Sequence, residues 1–335
     1  MKKMAGYFGW SFATAFFAIL FGYWLAGLAG AWTVSVLIIL ELSLSLDNAV
    51  VNATVLEHWD IWWRRAFLIF GLPIAVFGMR LIFPVLIVSV STGLGMLQAF
   101  QLALYSPNEY AAALMAAHHE VAAFGGVFLL MVALQFFMDA EKKNHWIPGI
   151  EPLLARLGTY EVAIEAGIAL SVLMLTAALI PGTAHFQFVA AGVYGFITYI
   201  GVKAFGQILS GNSGTGKHVA QGFGGLLYLE VLDASFSFDG VIGAFAITNN
   251  LLIIVAGLGV GAMFVRSLTI YLVDKGTLGT YRYLEHGAFW AIGALAVLMF
   301  LGVAIPIPET VTGIIGAIFI GLSFWSSVRA NRQMP

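Results

Sequence analysis

Two short stretches of this chain carry chemistry. Glu41-Leu42-Ser43-Leu44-Ser45-Leu46-Asp47 and Asp233-Ala234-Ser235-Phe236-Ser237-Phe238-Asp239 both read acid-x-Ser-x-Ser-x-Asp, and both sit inside long apolar runs. One carboxylate at the centre of a membrane helix costs about 2.5–3.5 kcal/mol. Left unpaired, Glu41, Asp47, Asp233 and Asp239, with Glu230 close by, would together cost on the order of 10 kcal/mol. A bound cation, protons or basic partners must offset that.

Helix geometry narrows the arrangement. At about 100° per residue, Glu41, Ser45 and Asn48 share one face, and Ser43 and Asp47 another. In the second copy Glu230, Asp233 and Ser237 share a face, and Ser235 pairs with Asp239. The outer acids of each motif are about 240° apart on a regular helix. Neither copy can therefore encircle one ion unless its helix breaks, and Gly240 is where the second could break. Crossing the two motif helices would gather carboxylates, hydroxyls and the Asn48 amide around one cavity. These hard oxygen donors suit Mg²⁺, Ca²⁺ or Mn²⁺ and disfavour Cu⁺ or thiolate-type zinc. The expected metal ligands are Glu41, Ser45, Asp47, Asn48, Glu230, Asp233, Ser237 and Asp239. Arg80 and Arg266, both within apolar runs, are the expected charge-compensating residues. The competing reading makes the same arginines permanent partners of the acids, in a structural or partner-binding membrane protein that binds no metal.

The elements that must hold these residues follow from composition. Of 335 residues, 61% are apolar and 10% are charged, against about 25% charged in soluble domains. Such a chain is an integral membrane protein, all-α, a polytopic bundle in a lipid bilayer. Runs of about 20 apolar residues fall at 10–30, 33–56, 66–90, 121–138, 160–180, 186–208, 222–248, 251–273, 287–305 and 310–328, so about nine or ten spans are expected. The region 92–120 is too mixed to span, and Pro107-Asn108-Glu109 predicts the start of a short surface helix over Ala111–His119. With the N-terminus cytoplasmic, every Lys and Arg outside the spans falls on the cytoplasmic side, from Lys2 and Lys3 through Arg64, Arg65, Lys142 and Lys275 to Arg329 and Arg332. This bias follows the positive-inside rule and places the C-terminus inside as well. The motif spans 33–56 and 222–248 then run in opposite directions. The chain divides into two inverted halves, 1–158 and 159–335, an organisation used by secondary transporters.

With these residues in place, the chain resembles the TerC/Alx family of membrane metal exporters over most of its length. Glu41 to Asn48 is similar to that family's first motif, Glu followed by Ser-x-Asp-Asn. Glu230-x-x-Asp233-x-x-Phe236-Ser237-x-Asp239 is similar to the second, with Thr248 near the span end. Arg64-Arg65-Ala66, Gly71, Arg80 and Arg266-Ser267-Leu268 also fit. The chain is longer than the common pattern, and Gly240 stands where the family often has Ser. The resemblance implies export of divalent cations, Mn²⁺ first among them, across a bacterial inner membrane. Protons are the expected counter-ion, since carboxylates can take up H⁺ when a metal leaves.

Other features point away from competing functions. No cysteine is present, which removes disulfides and thiolate chemistry. Gly211 to Lys217 matches the spacing of a P-loop, but His218 replaces the hydroxyl that would hold Mg²⁺; a flexible loop is expected, with no ATP coupling. No activated nucleophile or metalloprotease motif argues for an enzyme, no resident cofactor is expected, and no basic domain argues for nucleic acid. The sequence sets no oligomeric state. His118-His119-Glu120 reads as a helix end at the outer face, and Glu161 and Glu165 as the start of the fifth span.

Overall fold

The computed structural model describes residues 2–142, 144–158, 162–180, 182, 184–210, 221–305 and 307–332. The side chains of 2–5, 162, 209–210, 238–239 and 309 lie outside that description. The P-loop-like segment 211–217 and Glu161 also fall outside the described residues.

Among the described residues every regular element is helical. In chain order they are α1 (Lys2–Leu44), α2 (Leu46–Glu57), α3 (Ile61–Pro73), a π-helical segment (Ile74–Ile82) and α4 (Phe83–Thr92). There follow α5 (Met96–Tyr105), α6 (Pro107–Ala116), α7 (His118–Phe137), α8 (Ile150–Leu157), α9 (Val162–Ala177) and α10 (Ala184–Ser210). The last are α11 (Phe223–Ile247), α12 (Leu251–Asp274), α13 (Thr277–Thr280), α14 (Leu284–Gly302) and α15 (Glu309–Arg332). Helices occupy all ten expected positions. Among the described residues seven are long and apolar enough to cross a membrane. That count takes the two arms of α1 as one helix. It also omits α9, described over 16 residues, and α11, which carries Glu230, Asp233 and Asp239.

α1 is a hairpin. Its backbone turns at Ala26 (φ −143°, ψ 23°) and Gly27 (φ 64°, ψ −150°), a positive φ that glycine alone adopts cheaply. The first arm runs antiparallel to α12: Tyr7 meets Asp274 and Phe12 meets Phe264. The second runs parallel to α12, with Leu37 against Gly257 and Glu41 against Gly261. α12 sits between both arms because Gly257 and Gly261 present no side chain. A Cβ on Gly261 would lie 2.5 Å from Glu41 Cβ. Small residues that let backbones approach are a principal source of helix association in lipid.

The expected surface helix begins at Pro107 as predicted but ends at Ala116, and it is not a surface element throughout. Tyr110 and Leu114 are buried, Tyr110 against Phe245, and Asn108 accepts from Asn249. This end of the bundle is closed by a docked pair, α5 and α6, whose apolar face a mixed composition concealed.

Two apolar cores fill the bundle. One gathers Val50, Leu56, Leu229, Leu232 and Phe236. The other gathers Val34, Leu37, Val241 and Phe245. Along both motif helices the polar residues lie where one core gives way to the other, so the acids occupy a belt midway through the bundle.

Candidate functional site

The two motif helices cross antiparallel. Glu41 faces Gly240, Asn48 faces Asp233, and Asp60 faces Gln221. The register that aligns Glu41 with Asp233 also aligns Asn48 with Gly240. The contact of Glu41 with Gly240 is therefore the pseudo-symmetric counterpart of the contact between Asn48 and Asp233. The asymmetry is chemical. Asn48 donates its amide to Asp233 Oδ1 at 2.5 Å. At the equivalent position Gly240 leaves room, and a Cβ there would lie 3.2 Å from Glu41 Oε2.

Arg80 joins the two acids. Its Nη2 lies 2.5 Å from Glu41 Oε1 and its Nη1 lies 3.6 Å from Asp233 Oδ2. Nη1 also donates to the Ala75 carbonyl at 2.5 Å, and Ser45 Oγ donates to Glu41 Oε1 at 2.9 Å. Arg80 is the largest fully buried side chain among the described residues. The π-helical segment positions it. Pro73 lacks an N–H and cannot sustain the α-helical ladder, and the wider turn that follows puts Arg80 within reach of Ala75. Single π turns within helices are frequent at functional sites. The sequence signal was Pro73, seven residues before Arg80.

Arg266 forms a second, separate pair with Glu230, at 3.1 Å. Gly71 makes room for it, since a Cβ there would come within 2.5 Å of Glu230 Oε1. The Arg266 guanidinium also stacks over Phe67, 3.9 Å from the ring centroid. Glu230 is thus engaged by its own arginine, one helical turn from Asp233.

The helix break differs from expectation. α11 runs unbroken through Gly240. The irregular residue is in the first copy, at Ser45 (φ −107°, ψ 18°), between α1 and α2. Helix packing along α11 keeps Gly240 regular, whereas Ser45 holds its hydroxyl against Glu41 and lets the chain swing there. Asp47 follows the break. It is buried, its Oδ1 accepts the Asn48 N–H at 2.9 Å, and a Cβ on Gly316 of α15 would lie 3.6 Å from its Oδ2. It has no cationic partner among the described residues. The backbone of Asp239 continues α11 beside Gly240, and its side chain is outside the described set.

The structure therefore brings together Glu41, Ser45, Asn48, Asp233 and Arg80. Glu230 is held apart with Arg266, and Asp47 is one helix face away. Among the described residues no three His, Asp or Glu side chains converge as a ready-made metal cage. Buried polar atoms nonetheless remain without hydrogen-bond partners at the crossing: Asp233 Oδ2, Ser237 Oγ and Arg80 Nε. Buried polar groups are normally satisfied, and exceptions point to a missing water or ion.

Two features escaped sequence reasoning. Asn52, one turn below Asn48, donates to Asn48 Oδ1 at 3.0 Å and extends the polar line from Asp233; its spacing of four from Asn48 was the available signal. Glu151 on α8 accepts from Trp146 N, Trp290 Nε1 and His286 Nδ1 at 2.8–2.9 Å, and so pins the loop after α7 onto α14. Burial alone would raise its carboxyl, but the hydrogen bonds from His286, Trp290 and Trp146 outweigh it and hold it at about 2.

Residues 46–334 match a family described as a protein of unknown function, DUF475. The chain belongs to the DUF475 family. The match includes Asp47, Asn48, Arg80, both arginine–acid pairs apart from Glu41, and all of the second motif. No curated protein and no solved structure matches the chain.

Proposed function

We propose that this DUF475 protein is a secondary transporter that exports divalent cations through a site at the crossing of α1–α2 with α11. One observation carries the reading. Oppositely directed motif helices meet at mid-bundle around Glu41 and Asp233, with a buried arginine between them and Asp233 Oδ2 left without a hydrogen bond. Glu41, Asn48 and Asp233 are the proposed ligands, with Ser45, Ser237 and Asp239 completing the set and Asp47, one helix face away, and Glu230 at its margin. Arg80 would stand in for the cation in the empty state, so that the site is never a bare cluster of negative charge. Arg266 would serve Glu230 in the same way. Protons taken up by the same carboxylates are the proposed counter-ion.

Mn²⁺ is the proposed cargo, on the resemblance of the two motifs to the TerC/Alx exporters. The charge bias of the loops supports a bacterial inner-membrane orientation with both termini cytoplasmic. In that orientation the end of the bundle bearing Lys142 and Lys275 faces the cytoplasm. Mn²⁺ flux into inverted vesicles or proteoliposomes tests the reading. Glu41→Gln and Asp233→Asn should each abolish flux while the protein still folds. Undiminished flux in both would sink it.

A second reading has an observation of its own. Both buried arginines are already paired with acids, as a purely structural protein would have them. It differs in one outcome: no divalent cation would then stabilise the protein against heat.

A further inference from the structure

Below the crossing, on the side of the basic loops, lies a cavity of about 210 Å³ between α2, α7, α11 and α14. Thr54, His58, Gln135, Asp139, Tyr228 and Glu285 give it a polar lining. That volume holds several waters, each occupying about 30 Å³ in the liquid. A divalent cation that keeps part of its hydration shell would fit. A cation is already there. The Lys142 ammonium lines the cavity and lies 2.9 Å from the centroid of Phe136. Asp139, Glu151 and Glu285 supply the negative field around it.

A polar face of α2 runs from the cavity toward the crossing. Asn48, Asn52 and Val55 stack on one face of α2, and Val55 is in the cavity wall. Asn52 donates to Asn48, and Asn48 to Asp233. Asn52 is 2% exposed, yet its own Oδ1 has no hydrogen-bond partner. A vacant acceptor therefore ends a polar line that starts at the central carboxylate. Tyr228 of the cavity and Asp233 of the crossing belong to the same stretch of α11. The chain segment that carries Lys142 is fixed from below by Glu151, whose partners His286 and Trp290 stand on α14 next to Glu285.

We propose that this cavity is a second cation position, an antechamber to the crossing, and that Lys142 is a tethered competitor occupying it. The incoming divalent cation would displace the ammonium, take oxygens from Asp139, Glu285, Gln135 and Thr54, and pass by way of Asn52 to the central site. The route rests on the transport reading, but occupancy of the cavity does not.

Mn²⁺ titration of the detergent-purified full-length protein, with free Mn²⁺ counted by electron paramagnetic resonance, separates the two. In a Glu41→Gln/Asp233→Asn background, which disables the crossing, Lys142→Met should strengthen the remaining Mn²⁺ binding by about tenfold or more, as removal of one nearby positive charge predicts. Lys142→Arg should bind as the parent does. Adding Glu285→Gln to Lys142→Met should remove the gain. No gain on Lys142→Met, or a gain indifferent to Glu285→Gln, overturns the antechamber even if vesicle flux is intact. The expected gain with no flux in the wild type would uphold the cavity site and overturn the transport reading.

Discussion

Replacing Arg80 by Met separates the two readings of the crossing most sharply. Arg80 lies 2.5 Å from Glu41 and 3.6 Å from Asp233. At an effective dielectric of about 20 these contacts are worth roughly 7 and 5 kcal/mol of Coulomb attraction. Desolvation of three buried charges offsets most of that, so the intact triad contributes little net stability. Removing one member is different, because it leaves two carboxylates buried and facing one another. Breaking a buried pair in this way costs about 3–5 kcal/mol. In EDTA, Arg80→Met should therefore melt well below the wild type in detergent, followed through the intrinsic fluorescence of the protein's nine tryptophans. Mn²⁺ should then do what the guanidinium did. At about 100 times its dissociation constant a ligand returns about 2.7 kcal/mol, more than half of the loss. Mn²⁺ should stabilise the variant more than the wild type, whose arginine competes for the same oxygens. If Arg80→Met is destabilised and Mn²⁺ returns nothing, while Glu41→Gln and Asp233→Asn added to it do, the crossing is a structural triad and the cation reasoning fails.

Four further outcomes follow from the geometry. Asn48→Ala removes the donor to Asp233 Oδ1 and should destabilise the fold by about 1–3 kcal/mol, with vesicle Mn²⁺ flux lost as well; an unchanged melting temperature would deny that hydrogen bond its role. Gly261→Val drives a side chain into Glu41 and should cost at least about 1–3 kcal/mol of overpacking, read as a lower melting temperature with Mn²⁺ rescue diminished. Glu151→Gln should lose about 3 kcal/mol at neutral pH, the equivalent of a carboxyl held at about 2 in place of 4.5; because the folded value is depressed, this stability is present above about pH 4.5 and is lost as pH falls toward 2, and faster tryptic cleavage at Lys142 and Arg156 in the variant is the companion readout. Burial, only partly opposed by Glu285, Glu151 and Asp139, pulls the Lys142 ammonium down from 10.5 to about 8, so Mn²⁺ binding in the antechamber should strengthen as pH rises through 8 in the wild type, and the rise should be absent in Lys142→Met.

The helices were legible because apolar runs of about 20 residues report directly on a bilayer. The crossing of the motif helices was legible too, since the repeated acids and an even number of intervening spans force opposite directions. What stayed hidden depended on contacts between distant segments. The turn at Gly27 lies in an apolar run with no polar punctuation. Gly240 invited a break that packing along α11 suppresses, while Ser45 took it because its hydroxyl had Glu41 to bond. The placement of Arg80 needed the π-helical turn after Pro73, and the Glu151 network needed α14 to arrive beside the loop. The pairing of Arg80 with both halves was foreseeable only as a possibility among several, since an arginine reaches in many directions.

The mismatch between Asn48 and Gly240 has a bearing on direction. Two identical inverted halves that rock about a shared site generate inward-facing and outward-facing states of equal energy, because the pseudo-twofold exchanges one for the other. Here one acid is held by an amide and a guanidinium, and its counterpart opposite a glycine by a guanidinium and a hydroxyl. The two acids thus differ in the kind of donor, an amide against a hydroxyl, and a difference of about 1 kcal/mol between such bonds is a population bias of about fivefold. The degeneracy of the repeat is thereby lifted, and under the transport reading the empty carrier rests preferentially on one side of the membrane.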